Sequence, residues 1–137
     1  DLVGHFNQDL MTGMDFEYWW RFGLAGMQAA YTEEILMNRN KYPGSLSGRS
    51  VGALHNRLIT LDACRDLAAK RERPDLVELL EPLYRNTWHN LINAYGKEKD
   101  LQNAFSAFKQ SLDYGFRPGA LRLMAEAAFN SLKGNKQ

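Results

Sequence analysis

Asp15, Trp19, Trp20 and Arg21 lie close enough in sequence to share one short helix and one task. Asp15 and Trp19 are one helical turn apart, so both project from the same side. A carboxylate there can accept the hydrogen of a sugar hydroxyl and deprotonate it, while an aromatic face stacks on the sugar's C–H surface. Gly13 leaves the approach to Asp15 open. Glu17 is the second carboxylate on this stretch and would replace Asp15 as base if the helix were turned differently. The plain alternative is that Asp15 only complements the positive end of the helix dipole. Downstream, Arg39 is placed either to pair with a core carboxylate or to reach a diphosphate.

The elements that must hold these residues fall into two textures. Residues 1–47 are mixed and spaced by glycines. Thr12 or Gly13 starts a helix with Asp15 and Glu17 in its first turn, and Gly26 stops it. Phe16, Trp19, Trp20 and Leu24 form its apolar stripe. Met27 to Thr32 and Ile35 to Asn38 have strand character, and Tyr42-Pro43-Gly44-Ser45 is turn chemistry. Residues 48–137 are helical almost throughout. Ser50 opens a helix with the inward face Val51, Leu54, Leu58, Leu61, Cys64 and Ala68. Asp75 starts the next, with Leu76, Leu80, Leu83, Trp88, Leu91 and Tyr95 inward, and Pro82 is expected to kink or split it. Asp100 leads a third, carrying Leu101, Ala104, Phe105, Phe108 and Leu112 and stopping near Gly115. Pro118 begins the last, with Leu121, Met124, Ala125, Ala128 and Leu132 inward.

The first 47 residues resemble the C-terminal end of the catalytic domain of family 2 glycosyltransferases, the inverting nucleotide-sugar enzymes of the GT-A fold. The match runs in order through Gly4-His5-Phe6-Asn7-Gln8, Met14-Asp15, the helix with Trp19, Trp20 and Arg21, then Gly26, Tyr31, Ile35 to Met37, Arg39 and Pro43-Gly44-Ser45-Leu46-Ser47. The resemblance implies that Asp15 is the catalytic base and that Trp19, Trp20, Arg21, Arg39 and Lys41 contact substrate. It also implies a nucleotide-sugar donor, a glycan acceptor, and a divalent Mg or Mn ion in the full-length enzyme. Two departures stand out: Met14 occupies the place of a glutamate, and Lys41 lies near that of a histidine. The family's metal-binding Asp-x-Asp does not occur in this sequence, so the chain is expected to be inactive alone.

Composition narrows the alternatives. Seventeen basic residues against 16 acidic give a net charge of +1, which offers no electrostatic case for nucleic acid. With one cysteine, Cys64, no disulfide framework can form within the chain. No run approaches the ~18 apolar residues of a membrane span, and the setting expected is cytoplasmic or membrane-peripheral. His5, His55 and His89 lack metal-ligand spacing, and the latter two are expected at helix surfaces or boundaries. The chain begins at Asp1, which suggests processing or a piece of a longer protein.

The fold expected is therefore mainly α: a short mixed α/β remnant of a GT-A catalytic domain over 1–47, followed by a bundle of antiparallel helices over 48–137. Aromatic residues that would pack on an absent sheet predict self-association of the piece, or helices folded over them. A second reading is a helical protein–protein interaction module. Trp88, Leu91, Tyr95, Ala104 and Phe108 have the spacing of one tetratricopeptide hairpin, with no second copy. A third is an adaptor whose first segment is purely structural.

Overall fold

The computed structural model describes residues 3–38, 50–115 and 118–134. They form five helices: α1 (Met14–Leu24), α2 (Val51–Lys70), α3 (Pro74–Lys97), α4 (Leu101–Ser111) and α5 (Pro118–Gly134), with a 3-10 turn at Leu112–Tyr114 after α4. The fold is mainly α, as the sequence predicts.

Local chemistry sets the helix ends. The Ser50 hydroxyl accepts from the Ala53 amide at 3.3 Å and the Asp100 carboxylate from the Asn103 amide at 3.1 Å, capping α2 and α4. Pro74 sits in the first turn of α3, where its missing N–H removes no intrahelical bond. Three helices end in the same way. The Met27 amide returns to Phe22 O, that of Arg73 to Ala68 O and that of Asp100 to Tyr95 O, each across a left-handed residue. Gly26 fills that position after α1, whereas Glu72 (φ 53°) and Lys99 (φ 60°) adopt it with a side chain.

Helix α3 is the centre of the bundle and touches α2, α4 and α5, while α1 packs on α2 alone. Leu54, Leu58, Leu61 and Cys64 of α2 meet Leu80, Tyr84, Trp88, Leu91 and Ile92 of α3, with Ala107 and Ala120 closing the other side. Across this seam the Tyr84 hydroxyl donates to Asp62 Oδ1 at 2.7 Å, and its ring stacks on Tyr114 with centroids 4.5 Å apart.

Several expectations need correction. Helix α3 is not split at Pro82: it runs unbroken from Pro74 to Lys97. Pro82 lies on the exposed side, where water can satisfy the carbonyl one turn earlier. The strands expected over 27–32 and 35–38 are absent, for no strand occurs among the described residues. An extended segment becomes a strand only beside a ladder partner. Here Thr32 to Glu34 form a local turn instead, with the Glu34 amide donating to Thr32 Oγ1 at 3.2 Å. No α/β remnant is therefore seen among the described residues. The turn and ending motif at 42–47 lie outside the described residues.

The faces of α4 and α5 also differ from expectation. Phe105 and Leu121 are each more than half exposed, and the buried positions are Ala104, Ala107, Ser111, Ala120 and Ala127. These helices approach the core along small residues, which lets their backbones come close. At Gly96 a Cβ would stand 3.0 Å from the Ala127 Cβ. Glycine to alanine inside a helix ordinarily gains about 1 kcal/mol. Gly96→Ala should instead lose about 1–2 kcal/mol, because Ala127 is buried and has no flexible end that can yield. Thermal unfolding checks this, and adding Ala127→Gly should restore the loss. A stabilised Gly96→Ala would mean that α3 and α5 are held more loosely.

Candidate functional site

Helix α1 carries the residues singled out above, and its orientation on α2 decides what each can do. Its N-cap, Gly13, is left-handed (φ 75°), and a Cβ there would come within 2.8 Å of Thr60 Oγ1. The Thr60 hydroxyl instead donates to Thr12 O at 2.8 Å, which fixes the helix entrance against α2.

The buried face of α1 is not the aromatic stripe. Its one fully buried residue is Glu17, 2% exposed, while Trp19 is 65% exposed and Phe16 lies on the surface. Arg21 compensates the buried carboxylate. Its Nη2 donates to Glu17 Oε2 at 3.1 Å, and its Nε forms an ion pair with Oε1 at 2.9 Å that is too poorly aligned to count as a hydrogen bond. The same guanidinium donates to the carbonyls of Val3 and His5 and stands 5.0 Å over the Tyr18 ring. Arg21 thus ties the 3–5 segment to α1. Trp20 is also committed to the fold, its indole N–H donating to Cys64 O at 2.9 Å.

What remains open on α1 is Asp15 with Trp19. Asp15 is exposed, with Oδ1 accepting from the Phe16 amide at 2.8 Å. Trp19 joins an aromatic surface that single positions in the sequence did not signal. Its ring lies 5.2 Å from Phe22, Phe22 lies 5.0 Å from Tyr18, and Tyr18 lies 4.5 Å from Phe6. The i, i+4 spacing of Tyr18 and Phe22 could have revealed that pair; the contact with Phe6 depends on the Arg21 tether and could not be read locally. Arg39 and Lys41 lie outside the described residues. Among the described residues no group of three or more His, Cys, Asp or Glu is placed to hold a metal ion. Nor, among them, is any helix long and apolar enough to cross a membrane.

The remaining sequence candidates sort by environment. Ring nitrogen Nε2 of His55 lies 2.7 Å from the Tyr95 hydroxyl on the exposed side. Cys64 is fully buried, and burial, helped by the charge of Glu17, pushes its thiol from 9.0 up to about 12. It should resist thiol reagents in the native state, because the thiolate is the reactive form. Its raised pKa also fixes a sign. The contribution is complete below the ordinary thiol value and is lost as pH rises through the folded one. Tyr84, raised by burial and by its bond to Asp62, acts in the same direction. Stability should therefore decline from about pH 9 upward. Urea midpoints at pH 7, 9 and 10.5 test this, and a flat profile would contradict it.

Comparison with protein-family models, with curated proteins and with solved structures finds no match to this chain.

Proposed function

We propose that this chain forms the acceptor-side wall of a nucleotide-sugar-dependent glycosyltransferase site, of the inverting family 2 type it resembles, with the helical bundle as its support. One observation carries the reading. Of the two carboxylates in the first turn of α1, Glu17 is buried against Arg21 and only Asp15 faces solvent, one turn from an exposed tryptophan. Acid–base chemistry on this helix therefore falls to Asp15. Trp19 and the neighbouring rings offer an apolar platform for a sugar face. Trp20 and Arg21 position the helix, and their substrate contacts are limited to whatever surface those bonds leave free.

In this reading Asp15 accepts the proton of an acceptor hydroxyl, whose oxygen attacks the anomeric carbon of the donor as the nucleotide diphosphate departs from the opposite face. The donor and its Mg or Mn ion belong to the family's Asp-x-Asp half, which this sequence does not contain, so transfer needs that half supplied. The test is Asp15→Asn in a protein that joins this chain to a donor-binding half. Transfer should fall about 10²- to 10⁴-fold with donor affinity unchanged. Retained transfer would remove Asp15 from the mechanism.

A second reading, the helical interaction module, is favoured by the α3–α4 hairpin. Trp88, Leu91 and Ala104 are buried with the tetratricopeptide spacing, while Phe105 and Leu121 present apolar surface outward. It predicts that Phe105→Glu abolishes capture of a protein partner and leaves Asp15 without consequence.

A further inference from the structure

The segment that follows α1 carries a surface the candidate site does not use. Every residue over 28–38 is exposed, and Tyr31, Ile35, Leu36 and Met37 are each at least three-quarters exposed. No amide or carbonyl over 28–38 bonds to another backbone group among the described residues. The bonds within the segment are local: the Tyr31 hydroxyl donates to Glu33 Oε1 at 3.1 Å, and the Glu34 amide donates to Thr32 Oγ1. Side chains alternate in kind along it. Met27, Ala29, Tyr31, Ile35 and Met37 share one side of an extended chain, with Glu33 among them. The other side is mainly polar, with Gln28, Thr32, Glu34 and Asn38, and Leu36 is the exception. Unpaired backbone beside exposed apolar side chains is a template for pairing with another chain.

Charge selects the partner and its register. Glu33 and Glu34 are the only charges over 27–38. Two copies of the segment, set antiparallel about a two-fold axis at Thr32, place neither carboxylate opposite another. Glu33 then faces Tyr31 of the partner subunit, the hydroxyl donor that Glu33 already uses within one chain. Glu34 faces Ala30 of the partner subunit, and Ile35 faces Ala29 of the partner subunit. Thr32 meets its own counterpart, and threonine pairs across strands are favourable. Offsetting one strand by a single residue would set the apolar side of one copy beside the polar side of the other. Moving the axis to Glu33 or Glu34 would set like charges face to face, which is destabilising. The segment is thus complementary to itself in one register, as a two-fold interface requires.

We propose that residues 27–38 pair with the same segment of a second copy of this chain, antiparallel about Thr32, to form a two-stranded ribbon. The ladder replaces the local bond between Glu34 and Thr32. The proposal does not rest on the glycosyltransferase reading, because it uses neither Asp15 nor Trp19. The test uses the 137-residue chain. Sedimentation equilibrium should show monomer passing to dimer between about 1 μM and 1 mM, the weak range expected when two strands pair alone. Ile35→Lys should weaken the dimer at least about 10-fold, because two apolar cross-strand contacts are lost per dimer. Ile35 is exposed in the single chain, so the variant should fold. Cross-linking with oxidised glutathione reads the register. Thr32→Cys should form a disulfide-linked dimer, its two positions standing about 5 Å apart across the ladder. Leu36→Cys should not, because its two positions stand about 27 Å apart, but mixed with Gln28→Cys it should link to that variant. Cys64 is fully buried, so the unsubstituted chain is the blank. A monomer at every concentration would overturn the proposal and leave the segment to a sheet edge on another protein. So would a dimer that Ile35→Lys leaves unchanged, or self-linking as fast at position 36 as at position 32.

Discussion

Arg21→Ala should lower stability by about 3–5 kcal/mol, the largest effect expected of any single charged residue here. The reason is what it leaves behind. Glu17 would remain buried with its carboxylate unpaired, and an uncompensated charge in a low-dielectric site is far more costly than a broken surface pair. Three further contacts would go: the donations to the Val3 and His5 carbonyls and the packing over Tyr18. The double variant Glu17→Leu with Arg21→Met should recover much of the loss, because it removes both charges rather than one. Urea unfolding followed by tryptophan fluorescence measures both. A loss below 1 kcal/mol for Arg21→Ala would show that Glu17 is not held away from water as the structure places it.

Leu80→Ala should cost about 2–5 kcal/mol, while Leu79→Ala should cost less than about 0.5 kcal/mol. The two leucines are adjacent in sequence, but Leu80 is fully buried and Leu79 is 62% exposed. The contrast reports the register of α3. Its buried positions, Leu80, Tyr84, Thr87, Trp88, Leu91 and Ile92, keep one helical face in phase on both sides of Pro82. A helix broken at Pro82 would lose that phase and bring the two effects closer together. Chemical denaturation of both variants decides it. Equal losses would mean that the segment before Pro82 is not held in the register described.

Helix boundaries were legible because single residues write them. Ser50, Asp100 and Gly26 each act through their own backbone or cap, independently of the rest of the chain. The inward face of α2 was legible too, since its large aliphatic residues repeat at helical spacing and face a single partner. Faces set by close approach were not. Ala104, Ala107, Ala120 and Ala127 are ordinary alanines until α3 comes within reach of them. Glu17 was misjudged for a related reason. A glutamate is assumed to be solvated, and only the tertiary placement of Arg21 makes its burial affordable. The strand expectation over 27–38 failed because alternation shows which residues favour extension but cannot provide a neighbouring strand. For the candidate site, the residue types were visible in sequence. Which of them stay free was not, because Trp20 and Arg21 are taken up by Cys64, Val3 and His5, between 16 and 44 positions away.

Helix α1 is joined to the bundle through one neighbour, and that gives the chain two levels of opening. A segment held to α2 by one indole bond, one threonine hydroxyl and side-chain packing can detach and return while α2 to α5 stay folded. In hydrogen-exchange terms, the amides of 14–24 belong to a cooperative unit with a lower ceiling of protection than those of the central helix. The surface carrying Asp15 and Trp19 is thus mounted on the part of the molecule that can move first, and access to it need not wait for the core to unfold.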